Sequence, residues 1–264
     1  MLAGRGAFLM NQYNTTIDAD NNSKEKTPNH KLFETFGATF SLNGSVSEAV
    51  GDKCPFCDKE NHCYFNIENG LYDCKSCGAS GNAFTFVRHE YEQALESTSD
   101  ADYRRLSRLR DLSLQTLKRF GLAKLDDSSC WLIPFKSSKG KVLNLVRYFP
   151  KRKDSKCRNL SGLPVCLYGV DQMSYDADRL FFLCEGPWDA MALDQHLRQK
   201  KTRERYDVVA VPGATIFKEP WSEFFRGRKV RIVYDNDDAG RKGQDRAAKI
   251  LLPTTTDLSV LQWP

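Results

Sequence analysis

The sequence predicts a chain of mixed α+β and α/β class, in which a small metal-held β unit precedes a larger unit built on a parallel sheet. Cys54-Pro-Phe-Cys57 and Cys74-Lys-Ser-Cys77 bracket a hairpin pattern. From Arg179 onward, apolar runs alternate with helical segments, as they do in parallel-sheet α/β units. Two of these runs end in carboxylates: Glu185 follows Leu180–Cys184, and Asp235 and Asp237 follow Val230–Tyr234.

The bulk numbers bound the reading. A chain of 264 residues makes one large domain or two ordinary ones, with enough apolar content to bury a core. Lys and Arg exceed Asp and Glu by 39 to 34, and a net charge of +5 points to nucleic acid only where it clusters. The nine cysteines are an odd number, and four of them form the two Cys-x2-Cys pairs, which favours metal binding in a reducing compartment over a disulfide framework. No apolar run approaches the roughly 20 residues that cross a bilayer, and the apolar patch within residues 1–10 is too short for a signal peptide. The expectation is a soluble, cytoplasmic protein without a membrane partner.

Residues 1–30, polar and rich in Asn, Asp, Ser and Lys from residue 11, read as a disordered lead-in. The metal-held unit is expected over 31–91, starting with Leu32, Phe33, Phe36 and Phe40 at near-helical spacing. Between the cysteine pairs, Tyr64–Ile67 and Leu71–Asp73 flank Glu68-Asn69-Gly70, and Asn-Gly between β-favouring runs predicts a type I′ hairpin turn. Folding that hairpin gathers Cys54, Cys57, Cys74 and Cys77, the thiolate set of a tetrahedral Zn²⁺ site. His62 and Cys63 match no ligand spacing and are expected outside it. An amphipathic helix follows, packing on the ribbon through Phe84, Phe86 and Val87, with His89 on its exposed side. The charged stretch 92–111 reads as a partly helical linker that gives the first domain freedom.

A subdomain is expected over 112–178. Leu114–Phe120 reads as a short helix stopped by Gly121, and Trp131–Phe135 and Val142–Val146 as a second hairpin. Arg147 to Arg158 then carries six basic residues, interleaved with aromatics and one acid. Such a run suits phosphate-bearing ligands, and it also describes an ordinary solvated loop. The last unit, 179–264, has strands at Leu180–Cys184, Val208–Val211 and Val230–Tyr234. Parallel strands of one sheet share their carboxyl edge, where ligands gather, so Glu185, Asp235 and Asp237 can converge there on a divalent metal. Asp237 or Asp238 equally suits the N-cap of the next helix.

Glu185-Gly-x-x-Asp189-x-x-Ala192-Leu193 and Asp235-x-Asp237-x-Ala239-Gly240 resemble the two signature motifs of the Toprim domain. Ile133-Pro-Phe, the basic loop and Leu167-Tyr168-Gly169 resemble the amino-terminal half of a primase RNA-polymerase domain, and the cysteine ribbon is similar to a primase zinc-binding domain. These segments stand in the order found in primases and cover about residues 50–264; the four-cysteine form is closest to phage primase-helicases. A further acidic motif usual about thirty residues after Asp-x-Asp is missing: Leu258–Pro264 reads as the strand leading into it, so the last subdomain is expected to be truncated.

The resemblance implies a DNA primase that makes short RNA primers from NTPs on single-stranded DNA in a bacterial or phage-infected cell, with a replicative helicase in cis or in trans. It implies Asp235, Asp237, Glu185 and Asp189 as Mg²⁺ or Mn²⁺ ligands, with Glu185 also suited to take the hydroxyl proton. Asp189 also reads as a plain acid in a helix's first turn. Arg147, Lys151, Lys156 and Arg158 would meet triphosphate and template backbone, and the ribbon would read template through Tyr64, Phe65 or Tyr72, unless these are its own packing. Two other readings stand beside it: a Toprim nuclease or topoisomerase-like enzyme, and a non-catalytic zinc-dependent DNA-binding module of replication.

Overall fold

The computed structural model describes residues 27–41, 47–125, 129–154, 156–174, 176 and 178–261. Most of the lead-in expected over 1–30 lies outside these residues, as does the end of the segment expected to run to Pro264. From Thr27 the chain is already folded. Thr27 caps α1 (Pro28–Thr35) by accepting from the His30 N–H, with Pro28 suited to the first turn. Leu32, Phe33 and Phe36 are buried, while Phe40 belongs to a strand rather than to that helix.

The strands β1 (Phe40–Ser41), β2 (Glu48–Lys53), β3 (Glu60–Asn66), β4 (Tyr72–Cys74) and β5 (Ser80–Gly81) form an antiparallel sheet in sequential order. The β3–β4 turn differs from the expected type I′. Gly70 has φ +75°, but Asn69 is not among the positive-φ residues. The Gly70 N–H instead donates to the Asn66 carbonyl at 2.9 Å, and Asn66 Oδ1 accepts from the N–H groups of Glu68 and Asn69. An Asx side chain thus replaces the second left-handed residue.

The helix α2 (Ala83–Ser97) opens with a reciprocal capping box between Asn82 and Thr85. Phe86 is fully buried among Phe33, Phe56, Phe65 and Tyr72, at ring distances of 5.0, 6.2, 5.9 and 5.7 Å. Phe84, expected beside it, points outward and is 36% exposed: it lies two residues from Phe86, so the helical turn carries it to another face. His89 is half-buried, its ring 4.3 Å from that of Phe56.

Residues 92–111 are not a free linker. The helix α2 continues to Ser97, and α3 (Asp100–Arg110) starts at once with a Ser99–Asp102 capping box. Tyr103 and Leu106 on α3 are buried, and the Tyr103 hydroxyl donates to the Leu122 carbonyl at 2.6 Å. The next helix, α4 (Leu114–Arg119), is stopped by Gly121 at φ +69°.

A second antiparallel sheet holds β6 (Ala123–Lys124), β7 (Trp131–Lys136), β8 (Val142–Tyr148) and β9 (Cys157–Asn159) in order. Both its faces are covered. Leu132 and Leu145 join the ribbon's core, whereas Trp131, Ile133, Phe135 and Tyr148 pack with α3, α4 and the last unit.

That last unit contains β10 (Leu180–Cys184), α5 (Pro187–Gln199), β11 (Tyr206–Ala210), β12 (Lys229–Val233), α6 (Asp238–Leu251) and β13 (Asp257–Val260). All four strands are parallel, in the order β11-β10-β12-β13. The face bearing Cys184 and Ala210 packs with α5, and the face bearing Phe181, Leu183 and Ile232 packs with α6. Buried Asp194 on α5 accepts from Arg119 of α4, Arg198 and Arg203, tying the last unit to the helix before the second sheet. Among the described residues no helix is long and apolar enough to cross a membrane.

Glu90 on α2 lines a cavity of about 360 Å³ with Phe36, Gln93 and Leu125, and burial pushes its carboxyl up to about 7. The folded pKa lies above the ordinary 4.5, so the protonated acid costs nothing below pH 4.5 and the penalty grows as pH rises to about 7. Glu90→Gln should raise stability at pH 8 by about 1–3 kcal/mol and change little at pH 4.5, as read by denaturant unfolding at both values.

Candidate functional site

Two sets of side chains are gathered for chemistry. In the ribbon, β2 and β4 each deliver a Cys-x2-Cys knuckle, and one Sγ from each of Cys54, Cys57, Cys74 and Cys77 lies within 4.8 Å of all the others. The Cys57–Cys74 pair is at 3.9 Å, the spacing of sulfurs that share one tetrahedral Zn²⁺ with Zn–S bonds of about 2.3 Å. At Cys74 burial, which acts to raise the thiol's pKa, is outweighed by the N–H groups of Cys77 and Ser76, and the thiol comes down to about 6. The Phe56 N–H donates to Cys54 Sγ at 3.4 Å. This donor set fits zinc. Cys63 pairs with Cys74 in register but is outside the set, and burial pushes it up to about 12.

The second set lies at the carboxyl edge of the parallel sheet. Cys184 at the end of β10 pairs with Val233 at the end of β12, so the residues that follow lie side by side. Glu185 Oε2 accepts from the Asp235 N–H at 2.9 Å. Asp237 caps α6, its Oδ1 accepting from the Gly240 N–H at 2.7 Å. Gly240 is required there: a Cβ would sit 2.1 Å from the Asp235 carbonyl oxygen and 2.8 Å from Glu185 Oε2. Asp189 stands in the first turn of α5 and lines an open cleft of about 540 Å³ with Val233, Asp235, Asn236 and Asp237.

Burial raises the pKa of Glu185, and the charges of Asp235, Asp237 and Asp189 push the same way. Burial likewise raises Asp189, followed by Asp235. These acids therefore feel one another. Carboxylate oxygens gathered on an open cleft are the donor type that suits Mg²⁺ or Mn²⁺.

The basic residues divide. Arg147 on β8 pairs with Arg158 on β9, and Tyr148 with Cys157. Successive residues point to opposite faces of a strand, so Arg147 and Arg158 share the face opposite Tyr148 and Cys157. Burial lowers the Arg147 pKa, and among the described residues its Nε has no hydrogen-bond partner. Lys156 and Arg158 are exposed, whereas Lys151 lines a separate groove of about 680 Å³ with Arg105, Leu109 and Trp131.

One cation that acts on these acids is one that sequence reasoning missed. Arg110, the last residue of α3, lies 4.3 Å over the Trp188 ring, and its charge acts on Asp189. The signal that could have found it is Ser99-x-x-Asp102 ahead of Tyr103 and Leu106, a helix start on a face that must be buried. In the ribbon, Phe65 and Tyr72 are buried packing, and Tyr72 also borders, with Tyr64, Asn66, Asn69 and Leu71, an open groove of about 660 Å³.

Comparison with known proteins accords with this geometry. Residues 182–264 match the Toprim-like family. No curated protein matches the sequence. The structure is similar to the DnaG catalytic core, with TM-score 0.53 and 20% identity over 69% of this chain and 71% of that one. It is similar to the E. coli primase catalytic core, at 0.51 and 20% over 68% and 70%. A DnaG primase catalytic domain bound to ssDNA gives 0.50 and 20% over 69% and 72%. The chain thus has the fold of a primase catalytic core, mixed α/β with a parallel Toprim-like sheet, preceded by a four-cysteine ribbon.

Two outcomes follow for the metals. Purified protein should carry about one zinc per chain by elemental analysis, and Cys74→Ser should lose it; a wild type without zinc contradicts the ribbon assignment. Millimolar Mn²⁺ should stabilise the wild type, by the roughly 2.7 kcal/mol that a ligand at 100 times its Kd supplies, read as a rise in melting temperature that Asp235→Asn should abolish.

Proposed function

We propose that this chain, with its primase-core fold, is a DNA primase that joins NTPs into short RNA primers on a single-stranded DNA template. The observation that carries the reading is the pair of adjacent strand ends, where Glu185 is hydrogen-bonded to the Asp235 backbone beside Asp237. In the reaction a 3′-hydroxyl oxygen attacks the α-phosphorus of an incoming NTP, the new P–O bond forms, and the bond to pyrophosphate breaks.

Glu185, Asp235 and Asp237, with Asp189 at the cleft wall, are the residues that would hold Mg²⁺ or Mn²⁺. When bound, such ions stabilise charge on the entering and leaving oxygens. The chain's own groups do the rest. Glu185, with its pKa raised by burial and by neighbouring acids, is suited to receive the hydroxyl proton. Arg110, held on Trp188, sets a fixed positive charge beside the cleft. Arg147, Lys156 and Arg158 form the basic surface for triphosphate and template backbone, with Lys151 in the neighbouring groove. The ribbon, with zinc on its four cysteines, reads template through the groove that contains Tyr64. The domain scheme is a ribbon unit over 31–91, an amino-terminal subdomain over 112–178 and a Toprim subdomain over 179–264, with α3 packed against the second sheet and the last unit rather than serving as a loose link. A replicative helicase, in cis or in trans, is the partner, and the bacterial or phage-infected cytoplasm is the setting that keeps the thiols reduced.

The test is primer synthesis from NTPs on single-stranded DNA with Mg²⁺ or Mn²⁺. The wild type should yield oligoribonucleotides, and Asp235→Ala should lower the rate at least about 100-fold. Glu185→Gln should likewise lower the rate at least about 100-fold. DNA cleavage without NTPs would favour a Toprim nuclease instead.

A further inference from the structure

The groove of about 680 Å³ that Lys151 lines runs between α3 and the second sheet, and none of the acids at the parallel strand ends borders it. Arg105, Leu106 and Leu109 reach it from one face of α3, being one and four residues apart along the helix. Trp131 of β7, with Pro150 and Lys151 just beyond β8, reaches it from the sheet.

The apolar surface on offer is aliphatic. Leu109 is 55% exposed, whereas Trp131, the one aromatic residue of the lining, is 5% exposed with its ring packed 5.7 Å from that of Tyr103. The charge on offer is positive. Asp102 is the one acid of the groove, and it is already engaged, closing the α3 cap with Ser99 and pairing with Lys124 Nζ at 3.1 Å. Arg105 and Lys151 are exposed, and among the described residues neither has an ion-pair partner. Two unpaired cations beside an exposed leucine complement carboxylates interleaved with bulky aliphatic side chains. A single nucleic-acid strand pairs its phosphates with cations but stacks its bases on exposed aromatic faces, and the lining presents none.

We propose that this groove docks an acidic peptide segment of a partner protein, its carboxylates on Arg105 and Lys151 and an aliphatic side chain on Leu109. The same helix ends in Arg110 over Trp188, so the docked segment rests against the element that brings that cation to the acids. Docking does not require the chain to be a primase.

The probe is a fluorescein-labelled octapeptide of alternating aspartate and leucine, titrated with the full chain at low salt and followed by fluorescence anisotropy. Saturable binding tighter than about 1 mM is expected. Arg105→Glu and Leu109→Glu should each weaken it at least about tenfold. Both side chains are exposed, so the melting temperature of each variant should match that of the wild type. The octapeptide with lysine in place of aspartate should not bind. Absence of saturable binding by the aspartate peptide overturns the proposal, as does binding that both variants leave unchanged or that the lysine peptide equals. Oligo(dT) that displaces the aspartate peptide, and whose own binding the two substitutions weaken, would mark a nucleic-acid track and overturn it as well.

Discussion

The candidate site depends on the parallel pairing of β10 with β12. Register fixes Cys184 opposite Val233, and with it the positions of the first residues beyond each strand. Glu185 then accepts from the Asp235 N–H, so one carboxylate holds the backbone that presents the other. This bond joins residues 50 apart in sequence, and nothing local to either segment makes it. A slip of one residue between these strands would move every side chain to the other face of the sheet and part the acids.

Other features keep that edge usable. Gly240 lets α6 begin against the strand end, where any side chain would strike Asp235 and Glu185. Buried Asp194 anchors α5, whose first turn carries Asp189, to Arg119 of α4. Arg110 on Trp188 brings a cation from α3 toward the same edge. Glu185 and Asp189, whose pKa values are raised by burial and further by the charge of Asp235, are a standing cost to the fold that a bound cation would offset.

Much of this was legible in the sequence, for stated reasons. A buried parallel strand is a continuous apolar run, so Leu180–Cys184 and Val230–Tyr234 announced themselves, and the acids after them followed. The cysteine spacing and the Asn-Gly turn located the ribbon, although the turn closes through the Asn66 side chain rather than two left-handed residues. What stayed hidden was tertiary. The run Asp100–Arg110 is so charged that it reads as linker, and only Tyr103 and Leu106 reveal that one face is buried. Arg110 was therefore missed. Nor does sequence show that Arg147 and Cys157 look to opposite faces of their sheet, because that depends on the β8–β9 register across an irregular loop.

In the proposed mechanism Glu185, Asp235 and Asp237 form one divalent-metal site at adjacent strand ends. Crystals soaked in Mn²⁺ and measured at an energy with strong manganese anomalous scattering test it most directly. The account predicts an anomalous peak within bonding distance, about 2.2 Å, of oxygens from at least two of these three residues. No peak there at 10 mM Mn²⁺, or a peak held only by other groups, would contradict it.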